Sequence, residues 1–169
     1  MLAPTSVTRA LAVCTVLLLP SALHGQELAP AIRAAIADSV RGAMRSYAST
    51  FQMLDAEALL MFLQPGPEFR FIGEMVPMTY AQRQREAAQL PFATVRNGAV
   101  RFDSVLVNVL APTVAVATGF AIGTWTLKSG EVHQFREVGT FVWVRTVTGW
   151  KLAHAHNVER EESPSAKRL

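Results

Sequence analysis

A chain of 169 residues, half of them hydrophobic, is long enough for one folded domain and too apolar to be a disordered protein. Its formal net charge of +3 comes from 16 basic and 13 acidic residues scattered along the sequence, without a cluster of Lys or Arg interleaved with aromatic residues. We therefore expect no nucleic-acid partner, because binding to a phosphate backbone depends on such a basic surface.

The first 25 residues have the three parts of a secretory signal peptide. Arg9 precedes an apolar run over residues 10–19, and small residues then lead to a cleavage site that we expect after Gly25. The run is far shorter than the roughly 20 apolar residues that span a bilayer, so we expect no stable membrane anchor after removal of the signal. Cys14, the only cysteine, lies inside this apolar run. It does not mark a lipoprotein signal, because it comes too early in the chain and the residue before it, Val13, is too large. These features predict a bacterial protein that is periplasmic or secreted.

The region after the signal begins with helical patterns. From Pro30 to Leu54, apolar residues recur at steps of three and four, which predicts an amphipathic helix. Asp55 can cap a second, shorter helix. Thr79 to Gln82 resembles a capping box that opens a third helix, which Pro91 ends.

Strand patterns dominate the rest of the chain. Runs rich in Val, Thr, Phe and Trp are separated by turn signals such as Asn97-Gly98 and Thr148-Gly149, and Gly119 and Gly123 mark bends in the longest run. Because short turns join antiparallel neighbours, we expect an α+β domain with three N-terminal helices packed on a curved antiparallel sheet. The predicted strands cover residues 68–73, 93–95, 100–110, 114–127, 132–145 and 150–159, within one domain of residues 26–160 followed by a polar tail, 161–169.

The last predicted strand carries the most suggestive pattern. Trp150, Leu152, His154 and His156 occur at every second position, and alternate residues leave a strand on the same face. An aromatic, an aliphatic and two imidazole side chains on one face are typical of the lining of a pocket.

In their order and spacing, these elements resemble the nuclear transport factor 2-like, or SnoaL-like, superfamily, and within it small domains similar to the association domain of calcium/calmodulin-dependent protein kinase. The resemblance covers the chain after the signal. Its markers are Tyr47 followed by Asp55-Ala-Glu57, Gly119, Gly139-Thr-Phe-Val-Trp143, and Trp150 with the two histidines. It implies a cone-shaped fold, a pocket between the curved sheet and the helices, and a homodimer formed through the sheet.

The resemblance transfers functional residues only in part. Tyr47 matches the position at which ketosteroid isomerases of the superfamily place an oxyanion-hole tyrosine, whereas their general base falls at residues 71–73, which are Phe-Ile-Gly in this chain. The pocket arginines of the kinase domain match Ala121 and Phe141, which are uncharged. Arg136 is the arginine nearest to them, and it alternates with Glu137, so one of these two charged side chains should face inward.

The two histidines admit several interpretations. They could form an acid–base pair or contact a ligand, since imidazole titrates near neutral pH. They could also bind a metal ion if His133, Glu137 or Asp55 supplied a third ligand, or simply support Trp150. Nothing in the spacing requires a metal, and we expect none, nor any other cofactor.

We therefore expect a pocket that binds a small apolar or amphipathic molecule. Its predicted lining is Tyr47, Phe51, Trp125, Arg136, His154 and His156. One alternative is a cofactor-free lyase, isomerase or hydrolase, in which His154 or His156 transfers a proton and Tyr47 donates a hydrogen bond to a developing oxyanion. The other is a homo-oligomerisation or interaction module.

Overall fold

The computed structural model describes residues 28–73, 76–89 and 93–161. The predicted signal peptide and nearly all of the predicted tail lie outside the described residues. Within the described part of the chain, no helix combines the length and the apolar character needed to cross a membrane. The elements in chain order are α1 (Pro30–Met53), α2 (Ala56–Met61), β1 (Arg70–Gly73), β2 (Val76–Met78), α3 (Tyr80–Gln89), β3 (Val95–Ala111), β4 (Val114–Leu127), β5 (Val132–Thr146) and β6 (Gly149–Glu161).

The predicted starts of the three helices agree closely with the structure, and Pro91, the predicted end of the third helix, lies outside the described residues. Helix α1 begins at Pro30, whose fixed φ suits a first helical turn, and ends at Met53; the next residue, Leu54, adopts a left-handed φ of 53°. Oδ1 of Asp55 accepts a hydrogen bond of 2.9 Å from the backbone N–H of Ala58 and caps α2. At the start of α3, the backbone N–H of Thr79 donates to Oε1 of Gln82 at 2.8 Å, and the backbone N–H of Gln82 donates to Oγ1 of Thr79 at 3.3 Å, which confirms both halves of the predicted capping box.

The strands form one curved, unclosed sheet of six strands in the order β2-β1-β6-β5-β4-β3. Strands β3 to β6 are an antiparallel meander, as the short turns predict. Strand β1 instead pairs in parallel with β6, and β2 extends the sheet at that edge, a strand that the sequence did not indicate. Helix α1 packs on the concave face of the sheet and buries Val40, Met44 and Tyr47 there.

The predicted turn at Asn97-Gly98 is wrong, because both residues lie within β3. The strand is irregular there, with a shift in pairing between Val95 and Asn97. A Cβ atom added at Gly98 would lie 2.2 Å from the ring of Trp125. The glycine therefore gives room for an aromatic ring to lie directly on the backbone, and it does not reverse the chain.

An irregularity in β6 decides which of its side chains face the helices. Val142 pairs with His154, but the next residue, Trp143, pairs with Leu152, so Ala153 is an extra residue on β6. One extra residue turns every later side chain of the strand to the opposite face. Accordingly, Leu152 and Ala155 are both fully buried although they are three positions apart.

Candidate functional site

Helices α1 and α3 and the concave face of the sheet enclose a cavity of about 90 Å³. A cavity of this volume restricts the ligand to a small molecule. Most of its wall is aromatic, as is common in pockets for small molecules. The aromatic side chains besides Tyr47 are Phe51, Phe71, Phe102, Trp125, Phe135 and Phe141.

Glycines in the strands allow the aromatic rings to lie close to the sheet. The rings of Trp125 and Phe135 are stacked, with centroids 5.8 Å apart and an interplanar angle of 19°. A Cβ atom at Gly123 would lie 2.2 Å from the Phe135 ring, as one at Gly98 would from Trp125. Phe51 reaches the same stack from α1, with its centroid 6.2 Å from that of Trp125. Apolar contacts on several sides thus shape this end of the cavity.

Tyr47 places a phenol in the cavity wall. Its ring is buried and makes edge-on contacts with four aromatic neighbours, of which Phe51 is the nearest at 5.3 Å between centroids. Burial raises the pKa of the Tyr47 phenol, so the group keeps its proton. Arg83 donates a hydrogen bond to the phenol oxygen, which opposes this rise. A phenol that accepts a hydrogen bond still has its own O–H to donate to a ligand.

Arg83 brings a buried positive charge to the cavity from α3. The residue is only 8% exposed, and its guanidinium carbon lies 4.2 Å from the centroid of the Phe71 ring. Such a contact with an aromatic face stabilises a cation that has left water. Arg83 also contributes a favourable charge for ionised Glu137. The Arg83 guanidinium therefore interacts with an aromatic ring, a phenol and a carboxyl group.

Glu137 is the acidic group of the cavity. It lies on β5 on the concave face, and its pKa is raised to about 7. Removal of the carboxylate from water is the largest cause, and the negative charge of Glu159 is the second. Arg83 and a hydrogen bond from Asn157 act in the opposite direction. A carboxyl group with this pKa can both accept and release a proton near neutral pH.

Asn157 holds the Glu137 side chain from the neighbouring strand. Its cross-strand partner is Gly139, and a Cβ atom there would lie 2.5 Å from Oδ1 of Asn157. The glycine therefore leaves space for the Asn157 amide, which donates to Glu137. Side chains of β5 and β6 are thus matched to orient one carboxyl group.

The structure brings some predicted site residues together and separates others. Tyr47, Phe51 and Trp125 line the cavity. His154 and His156 do not line it, because the extra residue Ala153 turns them to the outer face of the sheet. The prediction that both histidines share a face of the sheet with Trp150 and Leu152 is therefore wrong.

Of the two adjacent charged residues on β5, the acidic one faces the cavity. Glu137 faces the cavity, and Arg136 is exposed on the outer face. Arg83, Glu137 and Asn157 were not among the predicted lining residues, although the sequence did indicate that either Arg136 or Glu137 faces inward. The capping box placed Arg83 on α3 but gave no sign that this helix covers the cavity.

The described residues contain no group of three or more His, Cys, Asp or Glu side chains arranged to hold a metal ion.

Comparison with known proteins agrees with this architecture. Residues 40–157 match the model of the SnoaL-like domain, and the chain belongs to this family. No curated protein gives a significant sequence match.

Several solved structures share the fold at low sequence identity. A nuclear transport factor 2-like superfamily protein from Salmonella enterica is 16% identical, with a TM-score of 0.65 over 82% of this chain and 98% of that one. Hexachlorocyclohexane dehydrochlorinase LinA-type3 from Novosphingobium barchaimii is 7% identical, with a TM-score of 0.67 over 83% and 98%. A conserved protein from Planctomyces limnophilus is 16% identical, with a TM-score of 0.64 over 77% and 100%. These likenesses concern the fold, which alone does not determine function.

Proposed function

We propose that the cavity binds a small, largely apolar molecule and that Glu137 transfers a proton to or from it, as in a cofactor-free lyase or isomerase. The observation that carries this proposal is a carboxyl group with a pKa of about 7, enclosed with a phenol and a guanidinium by aromatic walls. Perturbed acids in clefts are candidates for catalysis because their proton affinity matches the working pH.

The residues fit a reaction that begins at a carbon next to a carbonyl group. Ionised Glu137 would take the proton from that carbon, and the electrons of the C–H bond would move toward the carbonyl oxygen. Tyr47 would donate its O–H to this oxygen as negative charge develops. In an isomerisation, Glu137 returns the proton to another carbon. In an elimination, the electrons re-form the carbonyl while a carbon–carbon double bond forms and the leaving group departs with its bonding pair; a hydroxyl group takes the proton from Glu137 and leaves as water.

The charge of the cavity favours a neutral substrate with an oxygen acceptor. Buried Arg83 disfavours a cationic ligand, because two positive charges would share an apolar enclosure. The aromatic wall favours a planar or cyclic carbon skeleton. The hexachlorocyclohexane dehydrochlorinase of the same fold is named for an elimination from a small cyclic molecule, and this likeness supports a reaction of that kind.

Two small probes test the proposal directly. We would incubate the purified protein in deuterium oxide with cyclopentanone, which reports exchange of the proton next to the carbonyl, and with 4-hydroxybutan-2-one, which reports elimination of water. We expect catalysis by the natural protein and a loss of about 100-fold or more in Glu137→Gln. Arg136→Gln, changed at the adjacent position on the outer face, should retain the rate.

Binding without turnover would decide against catalysis. If cyclopentanone binds by calorimetry while neither exchange nor elimination exceeds the rate in buffer, the site is that of a binding protein. A rate that is the same in Glu137→Gln would exclude the proposed proton-transfer group.

We also propose that the protein is a homodimer that associates through the outer face of the sheet. Phe120, Val138 and Val158 are paired in register across three strands and are 44%, 40% and 56% exposed. Such a row of exposed apolar side chains favours a protein contact. Sedimentation equilibrium should show a dimer that Phe120→Lys dissociates, whereas Val147→Lys in an exposed turn should not; a monomer in the natural protein would contradict this.

Export remains a proposal that rests on the sequence of the first 25 residues. Expression in an exporting bacterium followed by N-terminal sequencing should give a chain that begins at Gln26. Recovery of the intact N-terminus in the cytoplasm would contradict it.

A further inference from the structure

A pair of polar side chains lies beside the cavity and has no part in the reaction proposed above. Nε2 of His133 lies 3.0 Å from Oε1 of Glu159, and the two side chains are 32% and 37% exposed. The His133 ring also stacks on Phe135, with centroids 6.1 Å apart, and Phe135 stacks in turn on Trp125 of the cavity wall. His133 is thus fixed to the aromatic wall on one side and to Glu159 on the other.

Glu159 is directly opposite Glu137 in the pairing of β5 with β6. Residues that are directly opposite in an antiparallel pair project their side chains to the same face, and like charges in this arrangement repel each other. Glu159 is the more exposed of the two carboxyl groups, and His133 donates a hydrogen bond to it. The cost of this repulsion therefore falls on the ionised form of Glu137.

We propose that Glu159 is a positioning residue for proton transfer, an inference that rests on the proposed function. The Glu159 carboxylate, held in place by His133, favours the protonated form of Glu137. The group that carries the substrate proton would then be controlled by two side chains that do not touch the substrate.

The other groups that face Glu137 show why such control is needed. Arg83 from α3 and Asn157 from β6 both favour the carboxylate, and the Tyr47 phenol from α1 lies within its electrostatic reach. Without Glu159, the attraction of Arg83 and the hydrogen bond from Asn157 would meet less opposition. Glu137 would then bind a proton more weakly and would be a poorer base at neutral pH. Glu159 thus shifts the balance toward a group that can hold and release a proton.

Carbon-13 NMR of the purified full chain, labelled in the glutamate carboxyl groups, would test the inference without a substrate. Glu137→Gln identifies the resonance, which should titrate near pH 7 in the natural protein. In Glu159→Gln we expect the titration midpoint to fall by on the order of one pH unit.

Variants at His133 separate its hydrogen bond from its ring. His133→Leu removes the hydrogen bond that holds the Glu159 carboxylate in place. Because this charge is then no longer fixed opposite Glu137, the titration midpoint of Glu137 should also fall. His133→Gln supplies an amide that can donate in its place, so the midpoint should return toward the natural value. His156→Leu on the outer face is the matched control and should leave the midpoint unchanged.

The outcomes distinguish this inference from the proposed function. A midpoint near 7 that stays the same in Glu159→Gln would overturn the role of Glu159 and leave the proposed reaction intact. A Glu137 that titrates like an ordinary glutamate in the natural protein would count against the proposed reaction itself. If Glu159→Gln does not fold, the natural protein can be titrated at about 1 M salt. Salt screens partly exposed Glu159 more than buried Arg83, so the midpoint should fall.

Discussion

The two faces of the sheet use similar strands for different purposes. On the concave face, β5 presents Phe135, Glu137 and Phe141 to a cavity closed by helices. On the outer face, the intervening positions include Arg136 and Thr140, which are exposed. Charge on the outer face is solvated, whereas the Glu137 carboxyl is held away from water and has a raised pKa. Residue type alone therefore does not identify the functional group, because the face on which it lies determines its chemistry.

The largest expected difference in stability is between substitutions at two neighbouring residues that lie on opposite faces of the sheet. Phe141 is 1% exposed and packs edge-on against Phe102, so Phe141→Ala should lower the free energy of unfolding by about 3–5 kcal/mol. Thr140→Ala, one position away on the outer face, should change it by less than about 1 kcal/mol. Urea titration of both variants measures the contrast, and similar losses would show that the two faces are not distinct in packing.

A smaller effect on stability should depend on pH through Glu137. The pKa of Glu137 is about 7 in the folded chain against 4.5 for an unperturbed glutamate, so folding resists its ionisation. Below the lower value Glu137 is protonated in both states, and its contribution to stability is lost as pH rises toward and through the higher value. At about 1.4 kcal/mol per pH unit, Glu137→Gln should gain about 2–3 kcal/mol relative to the natural protein between roughly pH 4 and pH 8.

Urea unfolding at the two pH values checks this prediction. Arg136→Gln is the control at the adjacent, outward position, and its difference from the natural protein should stay nearly constant. A stability difference for Glu137→Gln that does not change with pH would mean that the carboxyl is not perturbed by folding.

Two glycines should respond in opposite directions to a methyl group. Gly139→Ala would place a Cβ atom 2.5 Å from Asn157 Oδ1 and 2.7 Å from the Phe141 ring, and should cost about 1–3 kcal/mol. Gly42→Ala in α1 meets only a side-chain nitrogen of Arg45 at 3.9 Å and should stabilise the protein by about 0.5–1 kcal/mol. Thermal unfolding measures both, and a harmless Gly139→Ala would show that Asn157 is not held by close packing.

The parts of the fold that depend on local patterns were predictable. Helix α1 follows from its apolar spacing, α2 from the cap at Asp55, and the meander from its turns, because each signal acts within a few residues. The order of these elements was also enough to indicate the SnoaL-like family.

The lining of the cavity was predicted only in part, because it depends on distant pairings. Period-two spacing places His154 beside Trp150, but the extra residue Ala153 in the β5–β6 pairing reverses the face, and no local signal marked it. Arg83 became a cavity residue only through the docking of α3. Glu137 was one of two candidates on β5 until the sheet fixed which side faces inward.

The pH dependence of deuterium exchange into cyclopentanone tests the central claim most directly. The account predicts a rate that rises with pH through a single inflection near 7, where Glu137 ionises, and an inflection that is lost in Glu137→Gln but kept in His156→Gln. A profile that keeps its inflection in Glu137→Gln would contradict the role of Glu137, and one that loses it in His156→Gln would move the catalytic role to the outer face.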